Sequence, residues 1–140
     1  MKFLFSTVCL LLMLYATGCA TDPISTTAAS PVPLKRVARP DFLNPKPGYS
    51  QVIVKRDTGF GASACATIVS ANAKQIAFIR TGEKVVFYLP EGDHIIGAEP
   101  DGICAGGISE TSIRVKSDKP IILRIRYGSS GDFTIQPTAL

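Results

Sequence analysis

The sequence predicts an all-β fold, a small antiparallel β-sandwich of about seven to eight strands over residues 49–140. Two observations carry this expectation. Pro120 to Tyr127 alternates strictly, with Ile121, Leu123 and Ile125 on one face and Arg124 and Arg126 on the other, which is the period of a strand buried on one side. After Gly48 the chain reads as short β-rich runs separated by turn residues, which leaves little space for helix.

Taken in order, the runs are Gln51-Val52-Ile53-Val54, Ala66-Thr67-Ile68-Val69, Gln75-Ile76-Ala77-Phe78-Ile79, Lys84-Val85-Val86-Phe87-Tyr88-Leu89 and His94-Ile95-Ile96. Ser112 to Lys116 follows, with Ile113 and Val115 inward and Arg114 and Lys116 outward, then Pro120 to Tyr127, then Phe133 and Ile135. The connections suit hairpins. Asn72 tolerates a left-handed backbone, Thr81-Gly82 supplies a turn, and Pro90-Glu91-Gly92 places a proline early and a glycine late. Consecutive strands joined by such turns give a sandwich or a small barrel.

Ahead of this domain, residues 19–48 hold six of the ten prolines together with several Ser and Thr residues. Prolines at this density exclude a helix, and no apolar period is present, so the segment reads as a flexible tether. As a coil, its 29 residues from Ala20 to Gly48 would span on the order of 30 Å. Val37, Phe42 and Leu43 are apolar residues that a tether does not need. They either form a docking peptide for a partner or pack back on their own domain, as segments flanking a domain commonly do.

The first residues are different again. Lys2 precedes an apolar stretch from Phe3 to Tyr15 that is too short to cross about 30 Å of hydrocarbon, and it reads as an export signal over residues 1–18. The signal closes on Ala16-Thr17-Gly18-Cys19, small residues directly before a cysteine. Charged start, apolar run, small residues and cysteine in this order resemble a bacterial lipobox, with Ala16 where leucine is usual. The resemblance implies that Cys19 is lipidated and that its acyl chains hold the protein on a bilayer. With Ala20 rather than aspartate next to it, the Gram-negative lipoproteins it resembles imply the periplasmic face of the outer membrane.

Cys9 leaves with the signal, so Cys65 and Cys104 remain in an oxidising compartment, where a pair is expected to close. Two thiols and one histidine in the whole chain do not furnish a tetrahedral zinc site. Both cysteines lie in glycine-rich surroundings, so the bridge should staple two loops or irregular strand ends.

Other chemistries find little support. Gly59-x-Gly61-x-x-Ala64 matches the letters of a dinucleotide fingerprint, but Thr67, Ile68 and Val69 follow where a helix is required, so no nucleotide is expected. The net charge of +4 includes Lys2, which leaves +3 on the exported chain, too slight for a nucleic-acid partner. His94 is the single histidine, and nothing in the spacing of Ser63, Ser109, Asp93 or Glu99 selects a partner for it, so no catalytic residue and no cofactor are expected. Arg114, Lys116, Arg124 and Arg126 are expected to form a basic face on adjacent strands, suited to an acidic protein or an anionic glycan. Solvated surface charge is the plainer alternative.

From Val69 to Glu99 the order of Asn72 turn, strand, Thr81-Gly82 turn, apolar strand and Leu89-Pro90-Glu91-Gly92-Asp93-His94 resembles the PEGA-type β-domains of bacterial envelope proteins. The resemblance covers about thirty residues and implies a non-catalytic β-module. The resulting expectation is a lipid-anchored envelope protein, structural or protein-binding, within a larger assembly such as a secretion apparatus. The alternative is an inhibitor or immunity lipoprotein that blocks an envelope-targeting enzyme with a stapled loop.

Overall fold

A computed structural model describes residues 21–104, 106–117, 119–129 and 132–139. The signal and Cys19 lie outside the described residues. The fold is a β-sandwich of two mostly antiparallel sheets. Its strands are β1 (Ser30–Pro31), β2 (Tyr49–Arg56), β3 (Thr67–Ala71), β4 (Lys74–Ile79), β5 (Glu83–Pro90), β6 (Gly92–Pro100), β7 (Ser109–Val115), β8 (Ile121–Tyr127) and β9 (Phe133–Pro137). One sheet runs β1-β5-β2-β8-β9 and the other β4-β3-β6-β7.

All eight strands expected from the sequence are present, and their phases hold. Leu123, Ile125 and Tyr127 of β8 point inward with Ile113 and Val115 of β7 and Ile135 of β9. They meet Val52, Val54, Phe87 and Leu89 of the first sheet and Val69, Ile76, Ile79 and Ile96 of the second in one continuous core.

β2 departs from half-burial. Its inward residues Val52 and Val54 are continued by Arg56, and its outward residues Ile53 and Lys55, followed by Asp57, are buried as well. Something must cover the outer face, and it is the segment expected to be a tether. That expectation is corrected from Thr21 onward. Asp22 bridges Thr58 with N–H···O bonds of 2.8 and 3.0 Å, Ser30 N–H donates to Gly82 O, and Val32 N–H donates to Lys84 O. The ammonium groups of Lys55 and Lys84 donate to the carbonyls of Ile24 and Thr26. Prolines forbid a helix and an interior strand but not an edge strand, and Pro31 stands in the short edge strand β1.

The same segment then wraps the other flank through 3-10 turns at Leu34–Arg36 and Pro40–Leu43. Val37 bridges Ala77 on the edge strand β4, and Ala38 N–H donates to Ile76 O at 2.8 Å. An open ladder edge is thereby covered. Val37, Phe42 and Leu43 are partly buried and pack against the core of their own domain.

The sandwich has two distinct ends. Parallel β2 and β8 finish together, β5 and β9 start beside them, and residues 57–66, 80–82, 101–104, 106–108 and 128–129 gather there with Asp132 and Thr21. The turns at Asn72-Ala73, at Glu91 and after Val115 lie at the opposite end. Cys65 and Cys104 are joined by a disulfide, their Cα atoms 6.1 Å apart, which staples loops 57–66 and 101–108 as the sequence suggested.

Candidate functional site

At the end away from Thr21 a cleft of about 340 Å³ opens between the wrapping segment and the sandwich. Three local structures shape it. The β3–β4 turn carries positive φ at both Asn72 (47°) and Ala73 (63°), the geometry of a tight hairpin of the I′ kind. The β5–β6 turn passes through Gly92 at φ 132°. The 3-10 turn at Pro40–Leu43 sets its apolar residues on the core and leaves Arg39 and Asp41 at the rim.

His94 anchors these turns to one another. A carbonyl can only accept, so Nε2 donates to Pro90 O at 2.9 Å. Asn72 Oδ1 accepts the Ile95 N–H at 3.0 Å, which turns its amide nitrogen toward His94 Nδ1 at 2.9 Å. Both ring nitrogens are thus engaged in positioning the two turns. Ser63 and Ser109 stand at the other end of the sandwich, the latter's Oγ accepting the Ile135 N–H. Asp93, next to His94 in sequence, is paired instead with Arg114.

The rim is cationic and aromatic. Arg39, Lys46 and Lys74 stand against the single carboxylate of Asp41. Arg39 binds Asp41 through two nitrogens at 3.1 Å, and its guanidinium lies 5.3 Å from the Phe42 ring centre. That hydrogen bond, with the adjacent charge, raises Arg39 and holds the Asp41 carboxyl below the usual range. Lys46 stands 5.5 Å over the Tyr49 ring, and Tyr88 completes the wall. The arrangement suits an extended acidic segment, its carboxylates meeting the cations and its apolar groups the rings.

The predicted basic face is not assembled. β7 and β8 are consecutive but lie in different sheets, so Arg114 and Lys116 are separated from Arg124 and Arg126. Each arginine is also neutralised: Arg114 by Asp93 at 2.7 Å, Arg124 by the buried Asp57 at 2.6 Å and Arg126 by Asp132 at 2.6 Å. Lys116 is exposed, and its carbonyl accepts the Ser50 hydroxyl. The glycines at 59 and 61 enter a run of turns and then β3, not a helix. Among the described residues no three His, Cys, Asp or Glu side chains gather at metal-binding distance.

Arg39, Lys46, Lys74 and Tyr88 were not singled out by the sequence. They come from three separate parts of the chain, the wrapping segment, β4 and β5, and the one local signal was the cation-aromatic spacing of Arg39-x-x-Phe42 and Lys46-x-x-Tyr49. Comparison of the chain with protein-family models, curated proteins and solved structures finds no match.

Proposed function

We propose that this chain is an outer-membrane lipoprotein facing the periplasm, anchored through Cys19, whose β-sandwich is a non-catalytic module binding an acidic segment of an envelope protein in the cationic cleft. The observation that carries this reading is the placement of the cleft at the end of the sandwich opposite Thr21. The eight residues of β2 separate the two ends by about 26 Å, so a chain anchored two residues before Thr21 presents the cleft away from the membrane.

Two measurements test it. Cells fed radiolabelled palmitate should label the wild type and not Cys19→Ser. A photoreactive residue at Asn44 should form a discrete envelope adduct that is lost in Lys46→Glu/Lys74→Glu. Absence of label overturns the anchor, and an adduct indifferent to the two lysines overturns the cleft.

A further inference from the structure

The end of the sandwich that receives Thr21 has a surface unlike the rest of the molecule. Phe60 is 89% exposed and Ile103 is 100% exposed, the two most exposed large apolar side chains among the described residues. They flank the disulfide, Ile103 directly before Cys104 and Phe60 five residues before Cys65, on the two loops that the bridge staples. From Thr58 to Ala66 and from Gly102 to Ser109 the sequence holds no charged residue. Exposed Asp22, Arg80, Asp101 and Asp132 border the two loops at this end, while the opposite end carries Arg39, Asp41, Lys46, Lys74 and Glu91.

The chain itself says what meets this tip. Thr21 is held against Tyr127, and Asp22 against Thr58, two residues before Phe60. Between Thr21 and Cys19 lies one residue, a reach of at most about 7 Å. A lipid on Cys19 therefore brings the bilayer surface to the end that holds Phe60 and Ile103 and not to the end that holds the cleft.

We infer that the stapled tip is a second membrane contact, with Phe60 and Ile103 inserted in the interfacial zone of the bilayer beside the acyl anchor. The inference rests on the lipid-anchor reading. Amphipathic surfaces of this kind bind by burying apolar side chains at the headgroup boundary, and an aromatic residue is favoured there. The disulfide keeps the two loops shaped, so insertion does not require them to be ordered on contact. The tip then fixes the orientation of the domain, which the lipid alone would leave free to swivel.

The chain contains no tryptophan, so Phe60→Trp and Ile103→Trp each give a single reporter at a solvent-facing position that leaves the core untouched. The full lipidated protein is reconstituted in phosphatidylethanolamine–phosphatidylglycerol vesicles with or without lipids brominated near the headgroup end of the acyl chains. Both reporters should shift to shorter wavelength and lose emission with the brominated lipids, while Tyr88→Trp at the far end should not. Protein that floats with the vesicles yet leaves both tip reporters unquenched overturns the inference and preserves the anchor. Protein that does not float overturns both.

Discussion

Thr21 and Tyr127, 106 residues apart, close on one another from both directions: the Thr21 hydroxyl and N–H donate to Tyr127 O at 3.0 and 3.2 Å, and the Tyr127 N–H donates back to Thr21 Oγ1 at 3.1 Å. One residue therefore ties the start of the covering arm to the last residue of β8. The arm that starts there covers Lys55 and Asp57, both fully buried, and is held further along by Asp22–Thr58, Ser30–Gly82 and Val32–Lys84.

Replacing Thr21 with valine keeps the shape and removes the hydroxyl. The buried Tyr127 N–H loses its acceptor, which should cost about 1–2 kcal/mol. Urea denaturation measures the loss. Hydrogen exchange should accelerate first at Tyr127, Asp22 and Thr58, and exchange unchanged at all three would show that the arm is held elsewhere.

Asp57 is fully buried and receives Arg124 through Nε at 2.7 and 2.9 Å and a terminal nitrogen at 2.6 Å. Breaking such a pair strands a charge in low dielectric, so Asp57→Ala should destabilise by about 3 kcal/mol or more. Adding Arg124→Met removes the stranded cation, and the double variant should be less destabilised than the sum of the singles. Additive losses in a double-mutant cycle would show that the two side chains act separately.

How far the sequence reveals this molecule depends on which contacts carry a period. The eight main strands are legible because alternation along Ile121-Leu123-Ile125 or Ile113-Val115 follows directly from the pleat. The arm is illegible because backbone atoms and two lysine ammonium groups hold it, and neither leaves a pattern in residue types. A faint sign exists in Val52-Ile53-Val54, an unbroken apolar run of the kind found where both faces of a strand are covered. The stapled loops were legible from Cys65 and Cys104. The cleft was not, because Arg39, Lys46, Lys74 and Tyr88 meet only once the wrapping segment has turned the corner from β4 to β2. The separation of Arg114 from Arg124 depends on which sheet each strand joins, which alternation does not encode.

Acid should loosen the wrap. Burial pushes the Glu83 carboxyl up, but the Arg36 guanidinium, the Arg80 N–H at 2.7 Å and the charges of both arginines outweigh it and hold the group below its ordinary value. A carboxyl more acidic in the folded chain than in the unfolded one contributes stability in full above the ordinary glutamate range, and that contribution is lost as pH falls through it toward the lower folded value. The urea midpoint should therefore decline below about pH 4 to 5. Glu83→Gln should start lower at neutral pH and fall less steeply. A parallel decline in both proteins would assign the acid sensitivity to other carboxylates.

The β3–β4 turn separates conformation from contact. Ala73 occupies φ 63° with no glycine to ease it, so Ala73→Gly should stabilise the protein by about 0.5–1 kcal/mol. Asn72 has a similar φ of 47°, yet Asn72→Gly should destabilise, because its amide joins Ile95 N–H to the His94 ring. Thermal melts of the two variants should move in opposite directions. Equal shifts would mean that the backbone alone governs the turn.

Removing the disulfide through Cys65→Ala/Cys104→Ala opens a loop of 38 intervening residues, and on the chain-entropy model it should cost about 4 kcal/mol. The two stapled loops should not respond equally. Arg56, fully buried and stacked 4.6 Å over the Tyr127 ring, donates at 2.6 Å to the carbonyls of both Ala62 and Cys65, so loop 57–66 keeps an internal anchor after the bridge is gone. Loop 101–108 retains the Asp101 N–H···O bond to Ala66 at its base, while Ile103 beyond it is fully exposed. Hydrogen exchange in the double variant should therefore accelerate more around Cys104 than around Cys65. Adding Arg56→Met should bring the Cys65 side up to the same rate, and equal rates before that third substitution would show that the buried guanidinium does not hold the loop.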